Sequence, residues 1–186
     1  MEMGPLMLRR SLVLVIFVVG ISAKLNGQAS PVATRVTNGQ IGLGFSMANP
    51  DFGGNTLLKG GSIYGSLDFG QYIGIEGEIH DLKIITPRDI GESSYLLGVR
   101  AGFDRRRFHP YGKALAGLGN FSFNKPSYGS NSSSTHRMLA FGAGLDYRAS
   151  RKINVRIFDI EFQRWPGFGA HGLTPVVGTS GLAYSF

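Results

Sequence analysis

The feature that most constrains this chain is an alternation, at a period of two, of large apolar residues with Gly, Ser and ionisable residues, running from about residue 40 to the end. Successive side chains of a strand point to opposite faces, so this period predicts strands. No segment after residue 30 carries a sustained helical period. Eight segments share the pattern: roughly 40–48, 60–69, 72–82, 94–103, 109–121, 136–148, 152–163 and 174–186. Each is about 9–13 residues long, near the 9–11 that a tilted strand needs to cross a bilayer.

The two faces are chemically distinct. In the first segment Ile41, Leu43 and Phe45 alternate with Gly42, Gly44 and Ser46. In the third, Ile73, Ile75 and Ile79 alternate with Gly74, Glu76, Glu78 and His80. In the sixth, Leu139, Phe141, Ala143 and Leu145 alternate with Ala140, Gly142, Gly144 and Asp146. The fifth segment is ambiguous, because Lys113, Gly117 and Gly119 share a parity with Tyr111 and Leu115. The seventh changes parity, from Ile153, Val155 and Ile157 to Phe158, Ile160 and Phe162. A β-bulge near Ile157-Phe158 restores its register.

Connection lengths alternate as well. Gly70-Gln71, Arg105 to His109 and Ala149 to Arg151 are short, whereas Ala48 to Thr56, Lys83 to Ser93, Asn124 to Thr135 and Arg164 to Gly172 are long. An even number of strands with long and short ends alternating predicts an all-β fold, an eight-stranded antiparallel up-and-down transmembrane β-barrel. Composition decides which face is inside. Gly reaches 28 residues while charged residues are only 17%. A face of Gly and Ser makes a poor solvated surface but fills the narrow lumen of eight strands. A soluble, secreted lipocalin-like barrel remains the rival, with the apolar face turned inward around a ligand. Aromatics near the strand ends, among them Tyr72, Tyr95, Phe121, Trp165 and Phe168, suit interfacial girdles.

The N-terminus reads as an export signal. Arg9 and Arg10 precede the apolar run Ser11 to Ala23, which is too short for a transmembrane helix. Small residues follow, and the expected cut lies after Ala29, with Ala23 the alternative. This divides the chain into a signal peptide, 1–29, and a barrel domain, 30–186. The mature chain then keeps 16 basic and 11 acidic residues, a net +5 against +7 for the whole sequence. The scattered surplus fits contact with anionic lipid headgroups and gives no sign of nucleic acid.

The C-terminal residues carry a further signal. Leu182, Tyr184 and Phe186 alternate, and the sequence closes on Phe. The chain resembles the OmpA/OmpX-like family of eight-stranded outer-membrane barrels, over about 157 residues and most strongly here. That resemblance implies a bacterial outer-membrane location, export through the periplasm, outer-membrane lipid as solvent, and Leu182, Tyr184 and Phe186 as the signal read by the barrel-assembly machinery. It also implies a structural or surface-interaction, adhesion-like role, with an extracellular ligand for the long loops. Little chain is left over for the peptidoglycan-binding domain of full-length OmpA-type proteins.

Candidate chemistry concentrates on the polar face. Asp68, Glu76, Glu78, His80, Arg100, Lys113, Asp146, Arg156, Asp159 and Glu161 would meet in a narrow lumen, where ionised groups must be paired or hydrated. The reading is a charge network that plugs the barrel. A gated ion path is the sharper alternative that the family resemblance raises. No catalytic residue is expected. The rival enzyme, an outer-membrane lipid-modifying one of the deacylase kind, needs a His-x-Ser pair, and none of His80, His109, His136 and His171 has Ser two residues on. No cofactor and no metal are expected: Cys is absent and no His spacing supports zinc.

Overall fold

The computed structural model describes residues 37–50, 57–83, 85, 90–123, 132–167 and 172–186. The expected signal peptide lies outside them. Eight strands follow one another in chain order: β1 (Thr37–Asn49), β2 (Leu58–Phe69), β3 (Ile73–Asp81), β4 (Ile90–Gly102), β5 (Phe108–Phe123), β6 (Ser132–Arg148), β7 (Ile153–Arg164) and β8 (Val176–Ser185). Each pairs antiparallel with the next, and β8 pairs back onto β1 to close the barrel. Closure leaves no sheet edge with unpaired backbone, which a bilayer would not tolerate.

The register follows from the alternation. Gly42 lies opposite Tyr64 and Ala183, Leu43 opposite Ile63 and Leu182, so like parities meet around the wall. Leu43 is 66% exposed and Leu97 65%, whereas Glu76 and Ser94 on the other face are wholly buried. A soluble barrel of the lipocalin kind requires the reverse, and the structure removes that rival. The ambiguous fifth segment resolves with Tyr111, Lys113 and Leu115 inside and Leu118 outside. In β7 the expected bulge is present: Leu145 pairs with Phe158 and Asp146 with Arg156, leaving Ile157 as the extra residue. Arg156 and Asp159 therefore both point inward.

Several strands are longer than the sequence pattern predicts. β4 begins at Ile90 rather than 94, and β6 at Ser132 rather than 136. Neither Ile90-Gly91-Glu92-Ser93 nor Ser132 to Thr135 alternates large apolar with small residues. A second difference concerns the aromatics. Phe121 and Trp165 are buried inside the barrel, with ring centroids 6.2 Å apart in an edge-on arrangement, and do not belong to the interfacial girdle. They pack with Leu96, Leu115, Met138, Ala140 and Leu173. A second apolar group, Ala48, Leu58, Leu82 and Val177, fills the same end.

Short turns join the strands at the opposite end, which in barrels of this kind faces the periplasm. Gly70 has φ +76°, a conformation that side chains with a Cβ resist. The Arg105–Phe108 hairpin places Arg106 at φ 60°, the one described non-Gly residue there.

Candidate functional site

The barrel interior divides into layers. Uppermost is the apolar plug around Trp165. Below it lies an ion-pair layer, and below that a vestibule of about 830 Å³ opening between the short turns.

The ion-pair layer is built by β3, β4, β5, β6 and β7. Glu76 and Glu78 are two residues apart on β3, so both point inward. Arg100, on β4, reaches Glu76 at 2.7 Å and Asp146 at 2.8 Å. Lys113, on β5, reaches Glu161 at 2.6 Å, Glu78 at 2.7 Å, Asp159 at 2.9 Å and Glu76 at 3.5 Å. Arg156, inside because of the bulge, meets Glu78 at 2.8 Å, Glu76 at 3.1 Å, Asp146 at 3.3 Å and Asp159 at 3.5 Å. Each cation thus bridges several carboxylates on different strands. Charged pairs this deep offset their desolvation only through such multiple contacts.

Of the ten residues expected in a lumen charge network, nine meet in this layer: Glu76, Glu78, His80, Arg100, Lys113, Asp146, Arg156, Asp159 and Glu161. His80 stands at its upper edge, 3.5 Å from Glu78 and 3.8 Å from Glu161. Asp68 does not join. It sits in the vestibule and makes no ion pair among the described residues.

Several partners escaped the sequence reading. The Arg156 guanidinium lies 3.7 Å over the Tyr64 ring, and that of Arg100 lies 3.8 Å over Tyr111. The Tyr111 hydroxyl donates to Asp159. Both tyrosines occupy space that glycine provides: a Cβ on Gly42 would meet the Tyr64 ring, and one on Gly144 the Tyr111 ring. Their inward parity was the available signal. Below, Gln40 donates to Ser66 at 3.0 Å and accepts from Asn154 at 2.8 Å. Glu92, fully buried on β4, lay outside the expected segment.

The remaining histidines lie elsewhere. His109 pairs with Asp104 at 2.8 Å in the vestibule. His136 lies 3.0 Å from Ser134, the reverse order of the His-x-Ser spacing sought. His171 lies outside the described residues. The residues expected as an assembly signal, Leu182, Tyr184 and Phe186, all face outward, and the Phe186 N–H donates to the Gly39 carbonyl at 2.9 Å.

A closed eight-stranded wall, apolar outside and charged inside, defines a membrane-spanning β-barrel. Comparison with protein families agrees. The chain belongs to the outer membrane protein beta-barrel domain family, whose model matches residues 12–171, and it is an outer-membrane protein. No curated protein sequence matches it. Among solved structures it is similar to Ail, the attachment invasion locus protein of Yersinia pestis, at 20% identity and TM-score 0.54, over 81% of this chain and 97% of that one. Neisserial surface protein A shares 16% identity at TM-score 0.58, over 81% and 97%. OprG of Pseudomonas aeruginosa shares 14% at TM-score 0.59, over 81% and 96%. A further Ail structure, in complex with the heparin analogue sucrose octasulfate, aligns at TM-score 0.50. At these identities the likeness concerns the fold.

Proposed function

We propose that this barrel is a non-enzymatic outer-membrane scaffold that displays its extracellular loops, above all the β5–β6 hairpin, to a surface partner. One observation carries the reading: the hairpin outruns the membrane. β5 and β6 have 16 and 17 residues, against about 9–11 needed for a crossing. Their outward positions turn polar where they leave the lipid zone. Leu118 and Leu139 give way to Asn120 and Ser122 on one strand and to Arg137, Thr135 and Ser133 on the other. Asn120 ties the ribbon together through Ser133 at 2.9 Å and Thr135 at 3.1 Å. Below it the lumen is filled, which argues against solute passage. The Ail–sucrose octasulfate complex makes a sulfated glycan the first partner to try.

The test uses protein refolded in lipid vesicles. Expected results are no dye efflux, retention of vesicles on immobilised heparin, and loss of that retention when residues 124–131 are replaced by a two-residue turn. Retention indifferent to the hairpin, or efflux, overturns the reading. Release of fatty acid from lipid A that Ser134→Ala abolishes would favour the enzyme instead. We further propose that residues 1–29 direct export and that Leu182, Tyr184 and Phe186 are read by the assembly machinery. Phe186→Ser should then lower the amount assembled in cells while refolding into micelles persists.

A further inference from the structure

The buried charges of the barrel do not balance. Among the described residues Glu76, Glu78, Glu92, Asp146, Asp159 and Glu161 are buried inside, against Arg100, Lys113 and Arg156. The lower carboxylates are served by both arginines. The upper ones are not: Glu161 has Lys113 and the His80 ring, and neither Glu92 oxygen has a hydrogen-bond partner. Unpaired carboxylates in a low-dielectric interior are costly, so the upper layer favours a bound proton or an added cation.

Three atoms converge where that charge is wanted. Glu78 Oε2 and His80 Nε2 are buried with no hydrogen bond outside this group, and Glu161 Oε1 is buried with the Lys113 ammonium on one side at 2.6 Å. The imidazole nitrogen lies 3.5 Å from the first oxygen and 3.8 Å from the second, and all three atoms fall within 4.8 Å of one another. The other ring nitrogen, Nδ1, lies 3.3 Å from Ser46 Oγ, which is 2.7 Å from Thr179 Oγ1. With Ser46 donating to Thr179 and accepting from Nδ1–H, the Nε2 lone pair faces two carboxylate oxygens. Lys113 takes the other oxygen of Glu78 and one side of Glu161 Oε1, so the shared point between the three atoms stays open to a cation.

We propose that Glu78, His80 and Glu161 bind a divalent transition-metal ion of the zinc class inside the barrel. Zinc takes imidazole and carboxylate donors at about 2.0–2.2 Å, so neighbouring donors in a tetrahedral site stand roughly 3.4 Å apart. The two separations from the imidazole nitrogen need to close by only a few tenths of an ångström. Ca²⁺ and Mg²⁺ prefer all-oxygen sites and fit the imidazole poorly. The Ser46 contact on Nδ1 is the outer hydrogen bond that ligating histidines make. The ion would tie β3 to β7, which are not neighbours in the wall. The acidic group Glu76, Glu78 and Asp159 lower down is not a rival, because Arg156 and Lys113 already occupy its centre.

The experiment strips the full chain of metal with chelator, refolds it in detergent with or without Zn²⁺, and measures retained zinc after gel filtration. About one Zn²⁺ per chain is expected, with the unfolding transition on heat-modifiability gels moving upward by several degrees. X-ray absorption at the zinc edge should show a single imidazole with oxygen donors. His80→Gln should abolish retention, Ser46→Ala should weaken it about 10–100-fold, and His109→Gln should leave it unchanged. No retained zinc overturns the proposal, as does a shell of two or more imidazoles, or retention that survives in folded His80→Gln. Should His80→Gln fail to fold, the absorption spectrum of the native chain decides alone.

Discussion

A few side chains hold the interior together, and Arg156 holds most. It meets four carboxylates and stacks on Tyr64. Arg156→Ala leaves those charges buried with fewer partners, a loss of about 3–5 kcal/mol. Urea titration of barrels refolded in micelles should show it as a lower midpoint. Lysine should not rescue the loss, since one ammonium lacks the planar fork that reaches several partners and the flat face that stacks. Gly144→Leu should cost about 1–3 kcal/mol by driving Tyr111 off Asp159, read in the same titration. The ionisable members of this layer were legible because charge on a lipid-crossing strand is conspicuous. The tyrosines were not: an aromatic residue on the small-residue parity carries no mark of stacking on an arginine. Glu92 escaped because Ser93-Ser94 before Tyr95 offers no apolar alternation from which to start a strand.

At the scale of the strand, β7 is the informative element. Its parity change, visible in the sequence as Ile157-Phe158, is the bulge of the structure. Without it either Arg156 or Asp159 would face lipid. Deleting Ile157, the extra residue, should therefore leave a regular strand that still folds, whereas deleting Ile160 should turn Glu161 and Gln163 toward lipid and abolish folding, measured as loss of the fast-migrating unboiled band. Deleting a residue from the short turn at Ser150 should be tolerated far better, because no strand reverses its faces. Strand number, order and facing were readable, since a period of two admits one arrangement once the apolar side meets lipid. Strand ends were less so. The loop-side extensions, Ile90 to Ser93 on β4 and Ser132 to Thr135 on β6, show no apolar alternation and are held by pairing with β5. Trp165 was misplaced for a related reason: a Trp at a strand end fits a girdle or a lumen plug equally until the register is known.

For the molecule as a whole, lipid is the solvent that makes sense of the surface. Leu97 is mid-strand on β4 and among the most exposed residues. Leu97→Arg should destabilise the inserted barrel by about 2–4 kcal/mol, the cost of such a charge near the bilayer midplane. Equilibrium unfolding from liposomes checks it. The same charge at Arg137, exposed nearer the loop end of β6, is already accommodated. The seam between β1 and β8 carries a consequence for timing. Gln40 finds Ser185 and Asn49 finds Val176, partners that lie at the far end of the chain. A nascent or translocating chain can form hairpins from neighbouring strands, but β1 keeps a row of bare amides and carbonyls until β8 arrives. Insertion cannot be completed strand by strand as the polypeptide emerges. The molecule must cross the inner membrane entire, wait unfinished in water, and commit to the bilayer in one concluding step.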